Sequence, residues 1–150
     1  MLIKKLNMKI KMLFVLLLFA SISFAQTEEV NLDGNVFKGS ASEITPADVD
    51  RMPVVFDETF IFSGGKIESE VMKIYSADKT GYAAFTDDRR MIAMKVVNVR
   101  FSSEGFIDGK NVTLQFNGNI IGDNMLSGNM KVIYTDNSEV NFSIIAEKSQ

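Results

Sequence analysis

Residues 112–146, VTLQFNGNIIGDNMLSGNMKVIYTDNSEVNFSIIA, alternate apolar and polar side chains with few exceptions. Val112, Leu114, Phe116 and Gly118 fall in one phase, and Thr113, Gln115, Asn117 and Asn119 fall in the other. Leu126, Gly128, Met130, Val132 and Tyr134 repeat the apolar phase, and Val140, Phe142, Ile144 and Ala146 repeat it again. A period of two puts alternate side chains on opposite faces of a strand. The C-terminal third therefore reads as an antiparallel meander buried on one side.

The turns between these runs set a register. If Gly122-Asp123-Asn124 is the first loop, Phe116 lies opposite Met130, Leu114 opposite Val132, and Gly118 opposite Gly128. A shift of one residue would oppose apolar to polar, which burial of one face forbids. The next loop is expected to centre on Asn137, with Tyr134 opposite Val140 and Val132 opposite Phe142. Paired inward glycines let strands bend sharply, a device for closing a sheet into a barrel. A relaxed turn is the plainer reading of the same glycines. A barrel is favoured over an open sheet or a sandwich.

Upstream, the chain reads as further strands joined by turns. Val30 to Lys38 is expected as a first strand, with Asp33-Gly34 as a bulge. Ser40 to Pro53 reads as a connection holding one short helix that starts at Thr45-Pro46-Ala47-Asp48. Thr45 can cap it, Pro46 suits the first helical position, Asp48 suits the positive end, and Pro53 stops it. Val55 to Phe62 is a second strand with Phe56, Glu58, Phe60 and Phe62 on one face. Gly64-Gly65 reads as a two-residue hairpin loop pairing Ser63 with Lys66, Phe62 with Ile67 and Phe60 with Ser69. The third strand is expected to run to about Tyr75, and the fourth from Tyr82 to Phe85. The fifth, Met91 to Phe101, is apolar on both faces, and Ser102 to Gly109 reads as a loop. The expected fold is all-β, an up-and-down antiparallel meander of about eight strands.

The first residues read as an address. Lys4, Lys5, Lys9 and Lys11 precede the apolar run Met12–Ala20, and Ser23-Phe24-Ala25 offers small residues for cleavage before Gln26. The run is shorter than the ~20 residues of a membrane span, so a cleaved signal peptide is favoured over an anchor. Met8 is an alternative start. Residues 1–25 are thus expected to be a signal peptide, and 26–150 one β domain free in the periplasm or outside the cell, with no stable membrane insertion. With no cysteine there is neither a disulfide nor a lipid-bearing thiol. Removing the four leader lysines leaves 12 of the 16 basic residues against 19 acidic ones, a net charge of −7. Such a surface argues against nucleic acid and anionic lipid. Arg89-Arg90, after Asp87-Asp88, reads as a charged hairpin tip.

Three separated stretches carry a resemblance. Phe116-Asn117-Gly118-Asn119-Ile120 with Gly122-Asp123-Asn124, Leu126-Ser127-Gly128 and Met130 resembles the penultimate hairpin of small bacterial lipocalin-like (calycin-type) proteins. Glu58 to Phe62 with Gly64-Gly65-Lys66 and Ile67-Glu68-Ser69 resembles their early hairpin. Asn31 to Gly34 with Val36 to Gly39 resembles their first strand. The chain has no tryptophan, so it lacks the Gly-x-Trp signature of classical lipocalins. The resemblance implies a looser lipocalin-like barrel, a fold that often holds a small apolar ligand.

Catalytic chemistry is sparse. The chain has no histidine and no cysteine, which removes the imidazole base, the thiol nucleophile and their metal sites. Glu68 and Glu70 are expected on one strand face; a solvated face is the plain reading and carboxylate acid/base work the sharp one. Asp87-Asp88, Asp108-Gly109, Asp123-Asn124 and Asp136-Asn137 read as turns rather than cation ligands. No catalytic residue, metal or cofactor is expected. Phe60, Phe62, Phe116, Met130, Tyr134 and Phe142 would line the barrel interior, whether as packed core or around a small ligand. Arg100 is either an interior cation for an acidic head group or an ordinary surface arginine. The reading is a non-enzymatic exported protein binding a small apolar or amphipathic molecule inside the barrel. The alternative is a structural or protein-interaction module of the cell envelope, using a sheet face or edge near Ile61 and Ile145. A carboxylate-dependent hydrolase is the distant third.

Overall fold

In the computed structural model, which describes residues 27–46, 50–86 and 94–150, the alternating phases become the inner and outer faces of a barrel. The strands are β1 (Val36–Glu43), β2 (Val55–Ser63), β3 (Lys66–Glu68), β4 (Thr80–Thr86), β5 (Val96–Ile107), β6 (Lys110–Ile121), β7 (Met125–Tyr134) and β8 (Glu139–Lys148). One short helix, α1 (Glu70–Ile74), separates β3 from β4. Each strand pairs antiparallel with the next, and β8 returns to β1, so the eight-stranded sheet is closed. Val112, Leu114, Phe116 and Ile120 of β6 are buried, while Gln115 and Asn117 are exposed. Apolar inside and polar outside is the reverse of a bilayer barrel, whose lipid-facing band is apolar.

The β6–β7 register is the expected one: Phe116 pairs with Met130, Leu114 with Val132 and Gly118 with Gly128. The β7–β8 register is not. Val132 pairs with Val140 and Met130 with Phe142, two residues away from the expected alignment. A shift of two leaves every side chain on its own face, so alternation cannot detect it. The loop decides instead. Asn137 sits at φ +64°, its N–H donates to the Tyr134 carbonyl at 2.9 Å, and the Tyr134 N–H donates to the Ser138 carbonyl at 2.9 Å. Asn tolerates this left-handed geometry better than most residues. The loop is therefore Thr135–Asn137, centred on Asp136.

Several boundaries move for local reasons. The first strand is β1 rather than Val30–Lys38, and Glu29 instead bridges to Phe85 on β4. β5 continues through the expected loop at Ser102, because the tight turn is Asp108-Gly109, at φ +51° and +78°. Its proposed beginning at residues 91–93 lies outside the described residues, as do the signal peptide and Arg89-Arg90. The third strand stops at Glu68, where a helix replaces the expected run to Tyr75. Ser69 is its N-cap and accepts from the Met72 N–H at 3.2 Å; Glu70 lies in the first turn and Lys73 in the last. Those placements complement the helix dipole. The short helix thus follows β3, not the first strand; Thr45 and Pro46 are non-helical, and residues 47–49 lie outside the described residues.

Aromatic rings knit the interior. Phe101 stacks on Phe116 at 5.1 Å, and Phe116 meets Phe60 at 5.4 Å. Phe62 contacts Phe37 at 6.0 Å and Tyr82 at 5.0 Å. The inward glycine pair makes room for this. A Cβ on Gly118 would stand 2.5 Å from Phe116 Cζ, and one on Gly128 would stand 2.6 Å from the Asn117 carbonyl oxygen. Only glycine permits β6 and β7 to approach this closely while the Phe116 ring lies across them.

Candidate functional site

The residues expected to line an interior ligand are brought together, and they fill the space themselves. Phe60 and Met130 are 0% exposed, and Phe62 and Phe116 1% and 2%, so almost no water-sized space touches them from either side. Phe142 is buried against Phe56 at 5.5 Å, and Tyr134 is half-buried. Arg100 is not with them. It lies exposed on the outer face of β5, between Ala83 and Asn117.

Among the described residues, one carboxylate sits inside. Glu58 occupies the inward phase of β2 between Phe56 and Phe60 and is 1% exposed. β3 pairs with β2 only from Ile61 to Ser63, which leaves the β2 edge beside Glu58 to α1. Glu58 Oε1 accepts from the N–H groups of Thr59 (2.8 Å) and Glu70 (2.7 Å), and Oε2 accepts from Val71 (3.2 Å). Burial pushes its carboxyl up to about 7, against the pull of these three donors. The far side of α1 is pinned too: the Phe106 N–H donates to the Tyr75 carbonyl at 2.7 Å. Glu58 thus anchors the start of α1 to β2. A carboxylate in a Phe-x-x-x-Phe inward phase was its signal in the sequence.

Glu68 and Glu70 do not share a strand face, because Glu70 is helical. Glu68 pairs with Lys79 at 2.9 Å and Glu70 with Lys73 at 2.7 Å. Asp108 and Asp123 occupy turn positions at φ +51° and +62°, as turn-formers do. Ile61 is half-buried, while Ile145 is 57% exposed on β8.

The outer face of β5–β8 carries a different kind of arrangement. Cross-strand pairing aligns Arg100, Asn117, Asn129 and Ser143 in one row, and Ser102, Gln115, Lys131 and Asn141 in the next. A third row, Asn98, Asn119 and Ser127, continues the amides. The first two rows, Ser143 apart, line a shallow depression together with Phe101 and Phe116. Lys131 pairs with Glu139 at 3.0 Å on the margin. No carboxylate lines the depression. Elsewhere polar side chains are tied to neighbours, as Glu104 is to Thr113 and Asp136 to Ser138. Among the described residues, the amides of these rows have no such ties. The four strands hold them through continuous ladders, so their spacing is fixed by the sheet. Their polar phase was legible in the sequence, but single strands did not reveal which amides become neighbours.

Comparison with protein-family models, with curated proteins and with solved structures finds no match. What defines the molecule is therefore its own geometry: a closed eight-stranded antiparallel barrel whose described core residues are closely packed, with an amide-lined outer depression.

Proposed function

We propose that the chain is exported and acts as a non-enzymatic binding module whose ligand rests on the outside of the barrel. The carrying observation is the depression on β5–β8, where Arg100 and Lys131 join amides on a rigid sheet. The interior supports this indirectly, because its aromatic side chains occupy the space an apolar ligand would need. Export rests on the leader-like pattern of residues 1–25. The non-enzymatic reading rests on the absence of histidine and cysteine from the chain, and on Glu58, whose oxygens are engaged by backbone donors. The resemblance to lipocalin-like proteins supports a binding role, and the buried aromatic core favours the wall over the cavity for the ligand.

Arrays of glycans, peptides and lipids, probed with wild type and with an Arg100→Glu, Asn129→Leu double variant, test this. Both sites are exposed, so the variant should fold normally. A ligand held by wild type and lost by the folded variant is the expected result. Recovery of one apolar molecule per purified chain, with no difference between the two on the arrays, would overturn it in favour of interior binding.

A further inference from the structure

We propose that the outer depression recognises a short stretch of acidic polysaccharide, its carboxylates held by Arg100 and Lys131 and its hydroxyls by the surrounding amides. The proposal rests on the outer-face reading and names the ligand class.

Charge is the first support. Beyond the leader-like segment the chain carries −7, yet the residues lining this depression include two cations and no carboxylate; Glu139, on Lys131, and Glu104 stand one row further out. With Lys131 paired to Glu139, Arg100 leaves the lining net positive on an acidic protein, which favours an anionic ligand. Arg100 offers a planar fork suited to a carboxylate, and Lys131 a point charge. The pairing places them two strands and two residues apart, about 12 Å between strand positions at the usual sheet spacings. A chain with repeated carboxylates can meet both cations at once without drawing their side chains together.

Side-chain chemistry is the second. Each Asn or Gln presents an acceptor oxygen and a two-proton donor on one planar group. A sugar hydroxyl is likewise both donor and acceptor, so amide rows match a hydroxyl-rich surface. Protein interfaces instead centre on buried aromatic and apolar anchors, and single-stranded nucleic acid needs stacking rings. Phe101 and Phe116 are 6% and 2% exposed, so neither ring is offered to a ligand. Glu139 is the built-in competitor: its carboxylate holds Lys131 at 3.0 Å and must yield when a ligand carboxylate arrives.

Titration calorimetry with tetragalacturonate, with a neutral glucose tetramer and with inorganic phosphate tests the proposal. The acidic oligomer should bind at least ~10-fold more tightly than the neutral one, and less tightly as salt rises. Arg100→Gln and Asn129→Leu should each weaken it by ~10-fold or more, and Glu139→Gln should strengthen it. A neutral tetramer bound equally well, with the same dependence on Asn129, would overturn the acidic class while leaving the outer-face reading intact. Phosphate binding as tightly as the oligomer would overturn the polysaccharide assignment. Tetragalacturonate binding that neither Arg100→Gln nor Asn129→Leu moves would overturn both readings, and absence of binding by all three probes would overturn the proposal.

Discussion

Replacing Glu58 by glutamine should flatten the dependence of stability on pH between 4.5 and about 7. Glu58 is 1% exposed, and burial raises its carboxyl from the ordinary 4.5 to about 7. Between those pH values the unfolded chain gives up this proton while the folded chain keeps it. The group therefore supports folding fully below pH 4.5, and that support is lost as pH rises through about 7. At about 1.4 kcal/mol per tenfold change, the loss is about 3 kcal/mol across the window. The chain has no histidine, so no other side chain ordinarily titrates between pH 5 and 8. Glutamine keeps the shape and one acceptor oxygen for the Glu70 and Thr59 N–H groups but has no proton to lose. Urea unfolding at pH 4.5, 5.5, 6.5 and 7.5 would measure both proteins. The wild type should lose about 3 kcal/mol relative to Glu58→Gln from the lowest to the highest pH. Parallel profiles would refute the reasoning, since Glu58 would then titrate alike in the folded and unfolded chains.

Two further substitutions probe local architecture. Gly118→Ala should cost about 1–3 kcal/mol, because its Cβ would stand 2.5 Å from the Phe116 ring and 2.7 Å from the Ser127 carbonyl oxygen; thermal unfolding reads this directly. Ser69→Ala should cost about 1 kcal/mol by leaving the Met72 N–H at the start of α1 without its cap. Hydrogen exchange should then speed up across residues 70–75 before it changes in β6.

The sequence carried face assignment well and alignment less well. Odd shifts between β6 and β7 would bury Asn117 and expose Phe116, so the register there was legible. An even shift between β7 and β8 has no such penalty, and only the turn at Asn137 revealed it. The end of β3 was hidden for a related reason. Ile67, Ser69 and Val71 alternate like a strand, while Ser69 also makes a good helix cap, and tertiary contact with Glu58 decided between them. The interior candidates were found because apolar phase implies burial. Burial alone does not separate a ligand wall from packed core, and the ring contacts of Phe60 and Phe116 make them core. The outer rows are not legible in any single strand, because Arg100, Asn117 and Asn129 become neighbours only once three strands are aligned.

Mapping backbone amide shifts while ¹⁵N-labelled protein is titrated with tetragalacturonate tests most directly where the working surface lies. Binding on the outside predicts movement concentrated at Arg100, Asn117, Asn129, Lys131 and Asn141, on adjacent strands of one wall. Movement concentrated at Phe37, Phe60, Phe62 and Ile67, on the opposite wall, would contradict it.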